Sequence, residues 1–471
     1  MAARRGPVGK PPERGQAGAP PAAGPVGPLE RGGDEPLHEQ VERQLRASIQ
    51  AGRIPAGAAL PSTRALAAAL GVSRGVITEA YGQLASEGYL ALRQGAPVRV
   101  AAAVQQRVRE PARSLLPAFA YDLRPGVPDL AGFPADAWLR SLRAAWRTAP
   151  FATLGEPDPR GLPGLREALA TQLARTRGAA ADPEHLIVCG GFRAGFVELC
   201  RYLRMTGAEQ IAVEDPGWHP ARLAIEQAGL TVVPVPVDEQ GVRVDLLDGV
   251  RAVLVTPGHQ FPTGVALSPD RRAALVNWAA DQEALIIEDD YDTELSEQRP
   301  GAVQGLAPER VVLLGSASKR LAPGLRLGWM LTPSWLTWPL TTTRAIEATA
   351  NDVITQLAFT DFLERGELDR HLRRARATYA SRRATLLTAL AARLPHLTVR
   401  PAPPAGLFVL AEGDLDEHAT AERAAARGVG VEPLALHRFE PGGSRGLVLG
   451  YGALAEPAVE RAISLLAAAQ V

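Results

Sequence analysis

The sequence predicts two folded domains, an α+β domain over residues 36–100 and an α/β domain over residues 121–471. In the first domain, apolar residues recur at helical spacing and end in a short alternating stretch. In the second, β-branched runs alternate with amphipathic helical stretches, which is typical of a mostly parallel sheet covered by helices. A chain of 471 residues also exceeds the usual size of one domain.

Two segments are predicted to lie outside these domains. Residues 1–35 consist largely of Pro, Gly, Ala and Arg. Because they bury too little apolar surface to offset the entropy lost on ordering, we expect a disordered tail. Residues 101–120 contain Pro111, Pro117 and three Arg, and we interpret them as a linker.

Composition and charge narrow the class of protein. No apolar run reaches the roughly 18–20 residues that cross a bilayer, and the N-terminus lacks the apolar core of a signal peptide. The two cysteines supply neither a disulfide framework nor a metal site of the usual spacing. We therefore expect a cytoplasmic protein without membrane contact or metal. Residues 36–100 carry seven Arg against four Glu, whereas residues 121–471 carry 36 basic and 42 acidic residues, which favours nucleic-acid contact by the first domain.

The first domain has the pattern of a helix-turn-helix. An apolar stripe at four-residue spacing predicts a first helix, with the positions Leu37, Val41, Leu45 and Ile49. Ser62 can cap a second helix that ends at Gly71, and Ser73 can cap a third that ends at Gly88. Two short helices joined by a tight turn containing glycine make this motif.

Residues 89–100 then alternate around a Gln94-Gly95 turn, as a two-stranded wing does. Helices and wing together form a winged helix-turn-helix that resembles the GntR-type domain from Leu37 to Val100. The resemblance implies double-stranded DNA as a partner, with the recognition helix in the groove. The implied contacts are Arg64, Ser73, Arg74, Gly75 and Thr78, with Gly95 of the wing near the minor groove.

Six runs in the second domain predict strands, at 185–190, 210–215, 231–237, 251–257, 284–290 and 310–316. Amphipathic helical stretches lie between them. A smaller C-terminal α/β lobe is predicted at about 370–471, from an Arg-rich helix over His371–Leu394 followed by strands and a terminal helix.

Chemically distinctive residues follow the last of these runs. Lys319 comes after Ser316 and Ser318, and Arg326 lies seven residues further on. Hydroxyls and a guanidinium at a strand-to-helix turn can hold a phosphate while the amine reaches an aldehyde of the same ligand.

Other strand ends supply matching groups. Asp289 lies where ligands bind in open α/β sheets and can keep a pyridine nitrogen protonated, and the Tyr291 hydroxyl can bond an oxygen of the same ring. The pair Gly190-Gly191 and Phe192, at the start of a helix, can offer backbone N–H groups to a phosphate, and Trp218 can stack on the ring. These are the parts of a pyridoxal 5′-phosphate (PLP) site, although each alone also fits a solvated lysine, an acidic turn or a core tryptophan.

In this chain order the motifs resemble fold-type I PLP enzymes of the aminotransferase kind. Joined to a GntR-type domain, they resemble the MocR/GabR family of transcription regulators. The resemblance implies PLP as a Schiff base on Lys319, a head-to-tail homodimer, and sensing of PLP or a small amino compound. Three functions stay open: such a regulator without significant catalysis, an active aminotransferase carrying a DNA-binding domain, and a regulator that has lost PLP.

Two regions depart from the cofactor pattern of relatives. Phe261 stands where working aminotransferases have an Asn that bonds the ring oxygen. In this chain Gln260 or His259 is the candidate to make that bond instead. Leu154 or Glu156 occupies the stretch in which many relatives have a Tyr that reaches the phosphate in the partner subunit.

A third departure concerns the substrate. Transaminases clamp the substrate carboxylate with an Arg near the C-terminus. Val448 takes that position by alignment to Gly450-Tyr451, and Arg445 is displaced from it. We therefore expect little amino-acid turnover, and favour PLP or an amine that is not an amino acid as the effector.

Overall fold

The computed structural model describes residues 26–93, 95–101, 119–296, 299–403, 406–439 and 442–470. The chain divides into two compact units, Met1–Leu116 and Pro117–Val471. Most of the predicted tail (1–25), most of the predicted linker (102–118) and Gln94 of the predicted wing turn lie outside the described residues.

The first unit is the predicted winged helix-turn-helix. Its elements are α1 (Leu37–Gln50), α2 (Thr63–Leu70), α3 (Arg74–Ser86), β1 (Leu90–Ala91) and β2 (Arg99–Val100). The Ser62 hydroxyl accepts a hydrogen bond from the Ala65 N–H at the start of α2, and Ser73 caps α3 in the same way. Gly71 ends α2 at φ +62°, and β1 pairs antiparallel with β2 to form the wing.

Helices α1 and α3 pack through a small apolar core. Leu45 and Ile49 of α1 meet Ile77 and Leu84 of α3, and each of these side chains is 0–1% exposed. Val76, which the pattern turns inward, is only partly buried. Burial of an Ile or Leu side chain stabilises a fold by about 1.5–3 kcal/mol, so these contacts fix the orientation of α3.

The prediction of a disordered tail is wrong for residues 26–35. Val26 is buried in the core of the first unit. The Gln40 side chain accepts from the Glu30 N–H (2.9 Å) and donates to the Glu30 carbonyl (3.0 Å), and Arg31 donates to the Gly71 carbonyl (2.7 Å). The burial of Val26 and the polar contacts to the helices together order this segment despite its low overall apolar content, and composition alone does not reveal either.

The second unit contains strands and helices in alternation. The strands are β3 (Tyr121–Asp122), β4 (Leu186–Cys189), β5 (Gln210–Asp215), β6 (Thr231–Asp238), β7 (Gly241–Val242), β8 (Ala252–Val255), β9 (Leu285–Asp290), β10 (Val311–Ser316), β11 (Gly328–Leu331), β12 (Thr398–Val399), β13 (Phe408–Glu412), β14 (Val429–Gly430), β15 (Glu432–Pro433) and β16 (Gly446–Gly450). The helices are α4 (Ala135–Thr148), α5 (Pro163–Arg177), α6 (Phe192–Met205), α7 (His219–Gln227), α8 (Pro269–Asp281), α9 (Ala317–Arg320), α10 (Ser334–Glu347), α11 (Val353–Glu364), α12 (Glu367–Arg393), α13 (Glu417–Ala426) and α14 (Glu456–Ala467).

The described part of this unit contains a mostly parallel sheet of eight strands in the order β4-β11-β10-β9-β8-β5-β6-β7. The six predicted strands are confirmed as β4, β5, β6, β8, β9 and β10. Strand β11 was not predicted, and it lies antiparallel between β4 and β10. This strand has only four residues and directly follows the turn at Arg326, so its sequence cannot be distinguished from the end of a loop.

The C-terminal lobe has a four-stranded antiparallel sheet, β12-β13-β16-β15, with α12, α13 and α14. It also includes β3, which pairs parallel with β14, so the lobe takes in a segment from the start of the unit that the predicted boundary at residue 370 omits. A strand of two residues leaves no periodic signal. Within the described ranges, no helix is long and apolar enough to cross a membrane, and no group of three or more His, Cys, Asp or Glu is arranged to hold a metal ion.

Because Ile77 is completely buried between α1 and α3, Ile77→Ala should destabilise the winged helix by about 2–5 kcal/mol. Hydrogen exchange of the α3 amides measures this opening free energy within the intact chain. Glu79→Ala, at an exposed position of the same helix, is the control and should leave protection nearly unchanged. Equal protection in both variants would show that α3 is not held by this core.

Candidate functional site

The carboxyl ends of β4, β5, β8, β9 and β10 meet at one edge of the large sheet. A cavity of about 320 Å³ opens there, within the usual size range of small-molecule sites. All nine residues singled out in the sequence line it: Gly191, Phe192, Trp218, Asp289, Tyr291, Ser316, Ser318, Lys319 and Arg326. The parallel topology therefore brings together side chains that lie more than one hundred residues apart.

Lys319 is held inside the cavity by the short helix α9. Its Nζ donates a hydrogen bond to the carbonyl oxygen of Gly126. Gly126 has φ +74°, a conformation that favours glycine, and a Cβ at this position would lie 2.8 Å from Nζ, so a side chain here would displace the lysine amine. Burial lowers the pKa of Lys319, although the negative charge of Asp289 opposes the shift. A lowered pKa leaves more of the amine neutral, which is the nucleophilic form.

A buried ion network fixes the turn that carries Lys319. Arg320 donates to Asp290 Oδ2 (3.0 Å) and to the Glu294 carboxylate, while Arg177 donates to the same Asp290 oxygen (3.0 Å). Burial raises the pKa of Asp290, but the two arginines outweigh it and the pKa lies below its ordinary value. Removing one partner of a buried ion pair typically costs about 3–5 kcal/mol, so the network holds α9 against the end of β9.

Asp289 provides a test of whether the cavity suits PLP. Its buried Oδ1 atom has no hydrogen-bond partner among the described residues. Burial, followed by the charges of Asp290 and Asp292, raises the pKa of Asp289 well above its ordinary value. A protonated pyridine nitrogen supplies both a donor and a compensating positive charge, so this side chain fits the cofactor.

The opposite end of the cavity suits a phosphate. Gly191, at φ +98°, precedes α6, whose first N–H groups receive no side-chain cap. Ser318 donates its N–H to Ser316 Oγ at 3.3 Å, which holds the two hydroxyls on one turn. Arg326 is exposed, with its Nη2 near Gly190, and its guanidinium makes no hydrogen bond or ion pair with any described residue.

Aromatic side chains line the walls between these two ends. Trp218 packs edge-on against Phe192, with 5.6 Å between ring centroids, and the Arg193 guanidinium lies 5.3 Å from its ring centroid. The Tyr291 hydroxyl donates to the His259 carbonyl (2.7 Å), and burial raises its pKa well above the ordinary value. Tyr291 can therefore donate to a ring oxygen only by leaving that carbonyl.

Neither suggested substitute for the missing Asn reaches the cavity. Gln260 Nε2 donates to the Pro216 carbonyl (2.8 Å), and its Oε1 accepts from Thr263. His259 Nδ1 lies 3.0 Å from Asp292 Oδ2. Phe261 itself lines the cavity. The idea of a substitute at residue 259 or 260 is therefore wrong, because both side chains are buried and bonded elsewhere.

On the C-terminal lobe, the cavity wall carries no arginine from the expected positions. Val448 is completely buried in an apolar cluster, and Arg445 is 62% exposed and outside the cavity lining. Glu432, the register partner of Val448 on β15, lines the cavity instead. Leu154 and Glu156 are exposed and do not line it.

Among the lining residues that sequence reasoning missed, three either contact Lys319 or carry a charge: Gly126, Arg193 and Glu432. Gly126 and Glu432 enter from the start of the unit and from the C-terminal lobe, so no local spacing ties them to Lys319. Arg193 directly follows Phe192 in the sequence, but no spacing there ties it to a partner in the site.

The other candidate surface lies on the first unit. All six predicted DNA contacts are exposed, and Arg74, Gly75 and Thr78 lie on α3 away from its buried face. Arg74 Nε donates to Thr63 Oγ1 (3.3 Å), and the Thr78 hydroxyl donates to the Arg74 carbonyl (2.9 Å). A Cβ on Gly75 would meet only Ser73 Oγ, at 3.6 Å, so this glycine is not required by the local fold.

Comparison with known proteins agrees with both units. The gntR family of bacterial regulatory proteins matches residues 37–100, and aminotransferase class I and II matches residues 129–441. The chain is 36% identical to the HTH-type pyridoxine biosynthesis transcriptional regulator PdxR of Corynebacterium glutamicum, covering 88% of this chain and 91% of that one. It is 31% identical to the probable rhizopine catabolism regulatory protein MocR of Rhizobium meliloti, covering 94% and 95%. An archaeal alanine:glyoxylate aminotransferase shares the fold with a TM-score of 0.69 at 23% identity, covering 89% of this chain and 97% of that one.

A GntR-type domain followed by an aminotransferase-like domain defines a class of transcription regulators. The two relatives named above are regulators, and each matches this chain over most of its own length. The chain belongs to the MocR/GabR family of these regulators. The aminotransferase-like fold of this family implies dependence on PLP.

Burial lowers the pKa of Lys319. When its amine is alkylated with a small aldehyde and a mild reductant, the extent of modification should therefore rise with pH around a midpoint below 10.5, the ordinary pKa of lysine. Lys319 is one of two lysines in the chain, and Lys10 serves as the internal reference. Peptide mass spectrometry over a pH series, on protein freed of cofactor, measures both midpoints. A midpoint for Lys319 at or above 10.5 would contradict the lowered pKa of this amine.

Proposed function

We propose that the chain is a PLP-dependent transcription regulator whose cavity holds PLP through a Schiff base on Lys319. The observation that carries this proposal is the presence, in one cavity, of a partly buried lysine of lowered pKa and of an Asp289 carboxylate oxygen that has no hydrogen-bond partner among the described residues. When bound, PLP supplies an electron-poor ring and an aldehyde that reacts with amines.

The remaining lining residues have separate roles in this proposal. Asp289 bonds the ring nitrogen, and Trp218 and Phe192 pack against the ring. The phosphate is held by the N-terminus of α6, Ser316, Ser318 and Arg326, which combine backbone N–H groups, hydroxyls and a guanidinium.

The effector is proposed to be PLP or a small amine that is not an amino acid. A carboxylate on the effector would meet Glu432, whose like charge disfavours it, and Val448 offers no compensating cation. Glu432 lies 3.3 Å from His437 Nε2, but His437 does not line this cavity. The Glu432 carboxylate alone therefore favours recognition of a donor such as an amine over an anion.

An active aminotransferase is the second candidate, favoured by the lysine and carboxylate that such an enzyme also needs. Repeated transfer between an amino donor and a keto acid, abolished in Lys319→Ala, would establish it. The absence of a cavity-lining side chain donor at Phe261, together with Glu432 on the substrate side, makes efficient turnover of amino acids unfavourable.

A homodimer in the cytoplasm completes the proposal. Several large apolar side chains of the second unit are unusually exposed: Trp146 (65%), Phe151 (92%), Trp338 (76%) and Ile346 (81%). Exposed apolar surface of this kind is typical of a protein interface. The head-to-tail arrangement is the one that the family resemblance implies.

Reduction of PLP-loaded protein with borohydride should fix PLP on Lys319 alone. Lys319→Ala should lose both the trapped label and the absorption band of bound PLP, because no other amine lies in the cavity lining. Lys10→Arg, which replaces the other lysine, is the matched control and should keep both. Equal labelling of Lys319→Ala and the wild type would place the cofactor elsewhere.

Arg74→Ala should weaken binding to a specific DNA site by about 1–3 kcal/mol, because a cation near base edges and phosphates is lost. Arg43→Ala is the control, since Arg43 is also exposed but forms a bidentate pair with Glu35. Titration of the upstream region of the chain's own gene at fixed salt measures both. Unchanged affinity in Arg74→Ala would exclude this end of α3 from the contact.

A further inference from the structure

The second unit has a surface groove with an unusual concentration of arginine. The groove, about 240 Å³ in volume, is lined by Arg175 of α5, Arg299, and Arg373 and Arg376 of α12, together with the carboxylates Glu294 and Asp369. We refer to these six residues as the arginine groove. None of them lines the cavity around Lys319.

Both carboxylates in the arginine groove are already engaged. Asp369 Oδ2 accepts from Arg175 at 2.6 Å, and Glu294 is paired with the buried Arg320. Arg299 and Arg373 are exposed, and neither has an ion pair or hydrogen bond from its guanidinium to any residue in the described ranges. Within the described residues, two arginines without an ion-pair partner therefore face one groove.

Arg376 shows that these charges are close enough to act on one another. It donates to the Glu294 carbonyl at 2.8 Å, which anchors it in the groove. Burial lowers its pKa, and the charges of Arg299 and Arg373 lower it further. The positive charges of these arginines repel one another, although the second unit has more acidic than basic residues overall. A bound anion would reduce this repulsion.

We propose that the arginine groove binds phosphate groups. Phosphate presents several oxygens to planar guanidinium donors and carries close to two negative charges when monoesterified, which matches two free arginines. The source is either a small phosphorylated molecule or the backbone of DNA bound by the same regulator. In both cases the site is separate from the cofactor cavity.

The test uses the full chain, loaded with PLP and freed of excess. Arg299→Gln/Arg373→Gln removes the two free charges at exposed positions, and Arg373→Gln alone serves if the double variant is unstable. Arg374→Gln is the matched control, because Arg374 is exposed on the same helix but does not line the groove. Calorimetric titration with inorganic pyrophosphate forms one arm. The salt dependence of binding to duplex DNA forms the other.

In the first arm, the double variant should bind pyrophosphate at least tenfold more weakly than the wild type and Arg374→Gln. In the second, if DNA is the source, the slope of log affinity against log salt should fall by about one to two in the double variant. An effect in either arm supports the groove and names the source. No binding of pyrophosphate by the wild type with an unchanged DNA slope, or a double variant that matches Arg374→Gln in both arms, would overturn it.

Discussion

The ion network around Asp290 is the interaction on which the site depends. Asp290 pairs in parallel register with Gly315, so its side chain lies beside the turn that follows β10. Arg177 and Arg320 both donate to its Oδ2, and all three side chains are about 1% exposed. Because an unpaired buried charge is costly, the network holds Asp289, one residue earlier, at a fixed place relative to Lys319.

The positions of six strands and the grouping of the cofactor candidates were predictable from the sequence, because the carboxyl ends of parallel strands share one edge. All nine cofactor candidates proved to be neighbours for that reason. Gly126 and Glu432 were not predictable, since they reach the cavity from segments whose pairing depends on tertiary packing. The ordered segment at Val26 was missed because its overall composition shows neither that Val26 packs into the core nor that polar contacts hold the residues after it.

The cavity has side chains that can hold a cofactor on one side, but it lacks a cation for a substrate carboxylate on the wall from the C-terminal lobe. The nine candidate cofactor groups line one cavity, from Asp289 at one end to Arg326 at the other, although Phe261 supplies no side-chain donor where aminotransferases have an Asn. The wall from the C-terminal lobe presents Glu432 and an apolar cluster around Val448 where a transaminase needs a cation. A site that retains its cofactor groups but lacks a carboxylate clamp is better suited to sensing than to repeated turnover.

The central claim is that PLP bound at Lys319 controls contact with DNA. Nuclease footprinting on the chain's own upstream region, with and without added PLP, tests it most directly when wild type and Lys319→Ala are compared. The account predicts that PLP changes the protected region or the affinity of the wild type and has no effect on Lys319→Ala. A wild-type footprint that is identical with and without PLP, starting from cofactor-free protein, would contradict it.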